Sequence, residues 1–249
     1  MHVHHHPTIH RKDLRDYIFE GLMIFMAVTL GFFAEKIREN FTERSKEKEF
    51  VVSMIEDVQT DIANIDKSIA INKIRVLKLD TLANYCFNYK GNPAEEAAFY
   101  TVIKFCIRHP DFVSPVERTM FQLKNSGGMR LIEDKAAADS IIFYDDVAKK
   151  MLNQQNYYDF HLNNLIDATE KLINLKYFPL NHQTLKWEND AKGLATAQLI
   201  SHDKDKITEF GNKAKLFQGI VMFYITRLEE ARLHGNFLIE TLKKAYHIK

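Results

Sequence analysis

Proline is scarce in this chain: five residues in 249, with none between Pro7 and Pro93. Proline removes a backbone donor and clashes with the preceding helical turn, so its absence permits long helices. Glycine is also sparse, at nine, and no long alternation of apolar and polar residues suggests a strand. There are only two cysteines, Cys86 and Cys106. Two are too few for a disulfide framework or a zinc site. They read as ordinary buried residues acting as small hydrophobes, with a pairing in an oxidising compartment left open. No charge of one sign dominates, since 34 Lys and Arg face 33 Asp and Glu with the signs mixed. That balance gives no long-range pull toward nucleic acid, and none is expected as a partner.

Catalytic signatures are missing as well. HExxH, P-loop, GxGxxG, GxSxG and CxxC spacings do not occur. A di-iron helical bundle needs Glu-x-x-His pairs on inward faces, and no histidine here has a glutamate three residues before it. No catalytic residue, cofactor-binding residue, metal ligand or cofactor is assigned, and the chain reads as a non-enzyme.

What is present begins with an apolar run. Leu22 to Ala34 is 13 residues without a charge, and extension back to Tyr17 gives 18, interrupted only by Glu20. Eighteen helical residues rise about 27 Å, close to the thickness of a bilayer core. Tyr17, Phe19, Phe32, Phe33 and Phe41 place aromatics near both ends. Glu20 falls in the first turn, where the helix dipole and the headgroups tolerate a carboxylate. Phe32-Phe33-Ala34-Glu35-Lys36 offers no small-x-small cleavage site, so the run reads as a retained anchor rather than a cleaved signal. The alternatives are a buried core helix or a signal-peptide core. The expected organisation is a polar, His-rich tail over 1–16, a transmembrane helix over 17–36 and a helical domain over 37–249. The tail histidines His2, His4, His5, His6 and His10 read as solvated, because nothing nearby supplies the supporting shell of a metal site.

Beyond the anchor a heptad begins. Val51, Ile55, Val58, Ile62, Ile65, Ile69, Asn72, Val76, Leu79, Ala83 and Cys86 follow steps of four and three, and only Asn72 is polar. Such a pattern buries a narrow helical seam, and an amide within it fixes register at some cost in stability. Asn92-Pro93-Ala94-Glu95 is a helix start, with Asn92 as cap and Pro93 in the first position. That helix is expected to end at His109-Pro110. Ser114-Pro115-Val116-Glu117 repeats the start signal, and its helix closes at Asn125-Ser126-Gly127-Gly128. A glycine there reads as a helix cap in preference to an anion-binding nest. A fourth helix is expected over about 133–176, with Ile141, Ala148, Met151, Leu162, Leu165, Thr169 and Leu172 near one face. His161 within it reads as a partly buried histidine satisfied by neighbours. Asp145-Asp146 and Glu229-Glu230 read as solvated surface.

The last helix, capped by Asp203, carries twelve apolar or glycine positions from Ile207 through Gly235 to Ala245 in steps of three and four. The least regular connector is 178–201, with the only tryptophan, Trp187. The fold class is therefore all-α: an N-terminal transmembrane helix followed by an elongated antiparallel bundle with long coiled-coil-like helices. A parallel coiled-coil dimer would use the same seams, so a homo-oligomer and a protein partner both stay open. Ala27 and Gly31 form a small-xxx-small pair in the anchor, a weak sign of helix pairing.

The order of features resembles a bacterial family of uncharacterised single-pass helical proteins, a domain of unknown function. Its N-terminal helix looks like Tyr17-Ile18-Phe19-Glu20 through Phe33-Ala34 and Glu39-Asn40-Phe41. Its central segment is similar to Thr119-Met120-Phe121-Gln122-Leu123-Lys124-Asn125-Ser126-Gly127-Gly128-Met129-Arg130-Leu131-Ile132, with Tyr144 on the following helix. The spacing from Glu20 to Ala34 is longer here by about a helical turn. The resemblance implies membrane attachment and a helical domain, and supplies no activity, ligand or catalytic residue.

The expected function is a membrane-anchored helical scaffold or protein-interaction module. The alternative is an extracytoplasmic ligand-sensing helical domain. The lipid bilayer is the expected partner of residues 17–36, in the cell (inner) membrane. Lys36, Arg38, Arg44, Lys46 and Lys48 after the anchor outnumber Arg11, Lys12 and Arg15 before it, which favours a cytoplasmic C-terminal side. Long domains cross largely regardless of charge, whereas a short basic tail does so poorly. On that ground the C-terminal domain is expected outside the cytoplasm.

Overall fold

A computed structural model of the chain describes residues 13–181, 183, 186–187 and 191–248. Among them the chain is helical almost throughout. The elements are α1 (Leu14–Phe87), α2 (Pro93–Cys106), α3 (Arg118–Asn125), α4 (Lys135–Thr169), α5 (Ala191–Ala195) and α6 (Lys204–Tyr246), with single 3-10 turns at Gly128–Leu131 and Leu175–Tyr177. A two-residue antiparallel pairing joins β1 (Leu180–Asn181) to β2 (Lys186–Trp187). The histidines of the N-terminal tail lie outside the described residues.

Contacts divide the chain into two units, Met1–Phe50 and Val51–Lys249. In the first, α1 contains a stretch apolar enough to cross a membrane, with a mean hydropathy of 1.8 over 18 residues and none of that window buried. Its large side chains are open to the surroundings, as with Phe25 at 66% and Phe32 at 73% exposed.

In the second unit the heptad of α1 does bury: nine of its eleven positions are closed off, and Ile62 and Val76 are half-buried. The buried stripe is wider than the heptad, because Met54, Asp57, Asp61, Ser68, Arg75 and Leu82 are buried beside it. Two long helices pack there rather than one. Tyr144 and Tyr158 of α4 donate to Asp61 and Asn72 of α1, each at 3.0 Å. From α6, Lys215 reaches Asp80 at 2.7 Å, Gln218 donates to the Val76 carbonyl at 3.0 Å and Arg232 reaches Asp66 at 3.0 Å. Residue numbers thus rise together along α1 and α4 and fall along α6. Asn72 also donates to the Ser68 carbonyl, so both ends of its amide are used.

Two glycines of α6 allow it to approach α1. A Cβ at Gly211 would lie 2.7 Å from Cys86 Cβ and 2.9 Å from the Phe87 ring. One at Gly235 would lie 3.2 Å from Ile62, Tyr144 and Val58. Eleven of the twelve expected seam positions of α6 are buried, and Ala245 is half-buried. Asp203 caps α6 as expected, accepting from the Asp205 N–H at 2.9 Å.

Several boundaries differ from the sequence expectation. Asn92 does cap α2, accepting from the Ala94 N–H at 3.0 Å, but α2 ends at Cys106 rather than His109. The helix expected from Ser114-Pro115 starts at Arg118. Its preceding residue, Glu117, makes no side-chain cap; Asp57 of α1 takes that part instead. α4 stops at Thr169, not near Lys176. Beyond it the Tyr100 hydroxyl accepts from the Asn174 N–H and donates to the Gln198 carbonyl, each at 2.8 Å, which diverts the chain from a helical course.

Candidate functional site

An open cavity of about 150 Å³ lies between α1, the segment leading into α3, α3 itself and α4. Its walls are mostly apolar: Met54 and Val58 from α1, Pro115, Val116, Met120 and Phe121 from the middle segment, and Ala148 and Leu152 from α4. Asp61 and Tyr144 line it on one side, and Lys124, Asp145 and Lys149 on another, with Glu117 and Asn125 beside them. An apolar pocket with a few convergent polar groups is the usual form of a ligand site.

The polar groups are placed by helix starts and helix spacing. Asp57 and Asp61 lie one turn apart on α1. Asp57 accepts from the Thr119 N–H at 3.1 Å, from the Thr119 hydroxyl at 2.5 Å and from Arg118 at 2.7 Å. It therefore satisfies an N–H that the first turn of α3 would leave free. Asp61 accepts from the Val116 N–H at 2.8 Å and from the Tyr144 hydroxyl at 3.0 Å. Burial pushes the Asp61 carboxyl above the ordinary carboxylate range, and the charge of Asp57 adds to this against the two hydrogen bonds. Burial and the adjacent Asp61 push the Tyr144 phenol up, so it stays a neutral donor.

On the other side, Asp145 binds Lys124 at 2.5 Å and Lys149 at 2.7 Å. Burial opposes its ionisation, but the two ammonium groups outweigh that and hold its pKa below the ordinary value. Asp145 is thus not the solvated acid expected from the sequence: its side chain is only 17% exposed. Asp146, half open to solvent, pairs with Lys150 one turn on.

The other residues singled out in the sequence do not converge on this cavity. Cys86 and Cys106 are free and buried, and burial raises each thiol to about 12. Gly127 adopts a left-handed conformation (φ 71°) after α3, the cap expected there. His161 is half-buried between the rings of Tyr157 and Phe160, with its pKa lowered by burial. Glu229 reaches Lys73 at 3.3 Å and Glu230 reaches Arg227 at 2.6 Å. Among the described residues no group of three His, Cys, Asp or Glu side chains could hold a metal ion.

Sequence reasoning missed Asp57, Asp61 and Arg75. A signal was present for each. Asp57 and Asp61 are like charges four apart, a destabilising spacing on an isolated helix. Arg75 has no acid three or four residues away on its own helix. It is 1% exposed, its Nε and Nη1 have no hydrogen-bond partner, and its guanidinium lies 5.7 Å from the Phe105 ring centre and 6.0 Å from that of Tyr158. Cation–π attraction offsets part of the cost of that burial.

Another buried acid acts as a clasp. Glu96 of α2 accepts from the Tyr89 hydroxyl at 2.6 Å and from the Leu199 N–H at 2.7 Å, and His202 lies 3.1 Å away. It ties α2 to the segment before α6. No protein-family model, curated protein or solved structure matches the chain.

Proposed function

We propose that this chain is a single-pass membrane protein, anchored in the cell membrane through residues 17–36, whose helical domain serves as a scaffold or protein-interaction module. The observation that carries the reading is the apolar stretch of α1 with none of its 18-residue window buried. A core helix of a soluble protein would bury such a surface, because exposed apolar area of this extent is unfavourable in water. The interaction role draws support from further exposed apolar side chains in the second unit: Ile71, Ile74 and Leu77 on α1, and Leu233 and Phe237 on α6. In this reading the three long helices form an elongated coiled-coil-like bundle, with α6 antiparallel to α1 and α4. The helical domain lies outside the cytoplasm.

Paired reporters fused after Lys249, one active only outside the cytoplasm and one only inside, test the anchor and its orientation together. An outside signal from a membrane fraction that resists carbonate extraction supports the proposal. An inside signal reverses the orientation, and a soluble product defeats the anchor. The second reading, ligand sensing, is favoured by the apolar cavity between α1, α3 and α4.

A further inference from the structure

We propose that the cavity between α1, α3 and α4 binds a small hydrophobic amine, its apolar body held by Val58, Met120 and Leu152 and its ammonium group paired with Asp61. This inference goes beyond the anchoring role and does not depend on it.

Size and lining set the apolar part. A cavity of about 150 Å³ with mostly aliphatic and thioether walls accommodates a ring the size of benzene. Charge sets the polar part. The acidic and basic side chains on its walls are three carboxylates (Asp61, Glu117 and Asp145) against two lysines, Lys124 and Lys149, with the Tyr144 phenol held neutral. Both lysines are already committed to Asp145, at 2.5 and 2.7 Å. Arg118, next in sequence to the cavity residue Glu117, is committed to Asp57 at 2.7 Å.

Asp61 is different. It is 2% exposed and receives only neutral donors, the Val116 N–H and the Tyr144 hydroxyl, with no ion pair among the described residues. Each of its oxygens accepts one bond and retains capacity for another. A buried carboxylate without a counter-charge is costly, and a cation that arrives with its own apolar body removes that cost while filling the cavity. An anionic ligand would meet the excess of carboxylates. A neutral hydrocarbon would fill the space and leave Asp61 as it is.

The test is calorimetric titration of the full chain in lipid nanodiscs with three probes of similar shape: benzylamine, toluene and phenylacetate. Asp61→Asn keeps the size and one acceptor but removes the charge. Ala148→Leu fills the cavity from α4 and leaves Asp61 in place. Circular dichroism of each variant checks that the helices persist, and the two variants act by different routes. Saturable benzylamine binding by the unsubstituted chain, weakened at least tenfold by Asp61→Asn and lost in Ala148→Leu, is the expected result. Toluene should bind less tightly and phenylacetate not at all. Equal binding of phenylacetate, benzylamine affinity unchanged in Asp61→Asn, or no saturable heat beyond lipid partitioning would each overturn the proposal.

Discussion

Three glycines on one helix offer a direct measure of how tightly α6 is applied to α1. Gly219 is exposed, and a Cβ there would meet nothing within 4 Å. Replacing it with alanine should stabilise the protein by about 0.4–1 kcal/mol, through reduced backbone entropy of the unfolded chain. Gly211→Ala has the same backbone benefit but places its methyl group 2.7 Å from Cys86 Cβ. That atom is tied to the α1 backbone and cannot swing aside, so the helices must separate locally, and the Phe87 ring, 2.9 Å from the same methyl group, must shift as well. Overpacking of this kind costs about 1–3 kcal/mol. Gly211→Ala should therefore fall below Gly219→Ala by about that amount. Gly235→Ala meets only the ends of side chains, at 3.2 Å, and should lie between the two. Urea unfolding of the detergent-solubilised protein, followed by far-ultraviolet circular dichroism, gives the order directly. If Gly211→Ala is as stable as Gly219→Ala, the close approach of α6 to the end of α1 is wrong.

Three further outcomes are expected. Asp57→Ala should destabilise the domain by about 2–4 kcal/mol, because it strands the Thr119 N–H and hydroxyl in a buried place. Asp57→Asn should lose less, and equal urea midpoints for the two variants and the parent would refute the cap. Arg75→Met should be neutral or stabilising by up to about 3 kcal/mol, since it removes a buried guanidinium with two unpaired nitrogens. A loss of stability on that scale would show that Arg75 has a partner beyond the two rings. For Asp61, the folded-state pKa is raised, so its contribution to stability is fully present below the ordinary carboxylate value and is lost as pH rises through the higher folded value. Asp61→Asn should therefore gain on the parent as pH rises above about 4, the ordinary carboxylate value. A stability difference that does not vary with pH would contradict the burial of this charge.

Much of the helical scheme was legible locally. The proline-free stretch, the Asn92-Pro93 start, the Asp203 cap and the seams of α1 and α6 depend on residues close in sequence, and the structure places them as expected. The boundaries that moved did so because a distant group intervened. Asp57 and Asp61, about sixty residues earlier, hold Thr119 and Val116 and set where α3 begins. Tyr100 takes the N–H of Asn174 and so helps to end the helical course after α4.

The same division applies to the cavity. Met120, Phe121 and Lys124 belong to the segment that carries the family resemblance and Tyr144 to the helix after it, but nothing in their spacing says that they face Asp61. Like charges at 57 and 61 mark an oddity on a helix without saying what relieves it, and Asp145 beside Asp146 gives no sign that one is enclosed and the other solvated. Backbone propensity, capping and apolar periodicity act over a few residues, and so the sequence by itself determined that the chain is helical, the seams of α1 and α6 and the presence of the apolar run. Burial of a charge, the closeness of two helices at a glycine and the space left between three of them depend on groups brought together from far apart. Only the tertiary structure decided those.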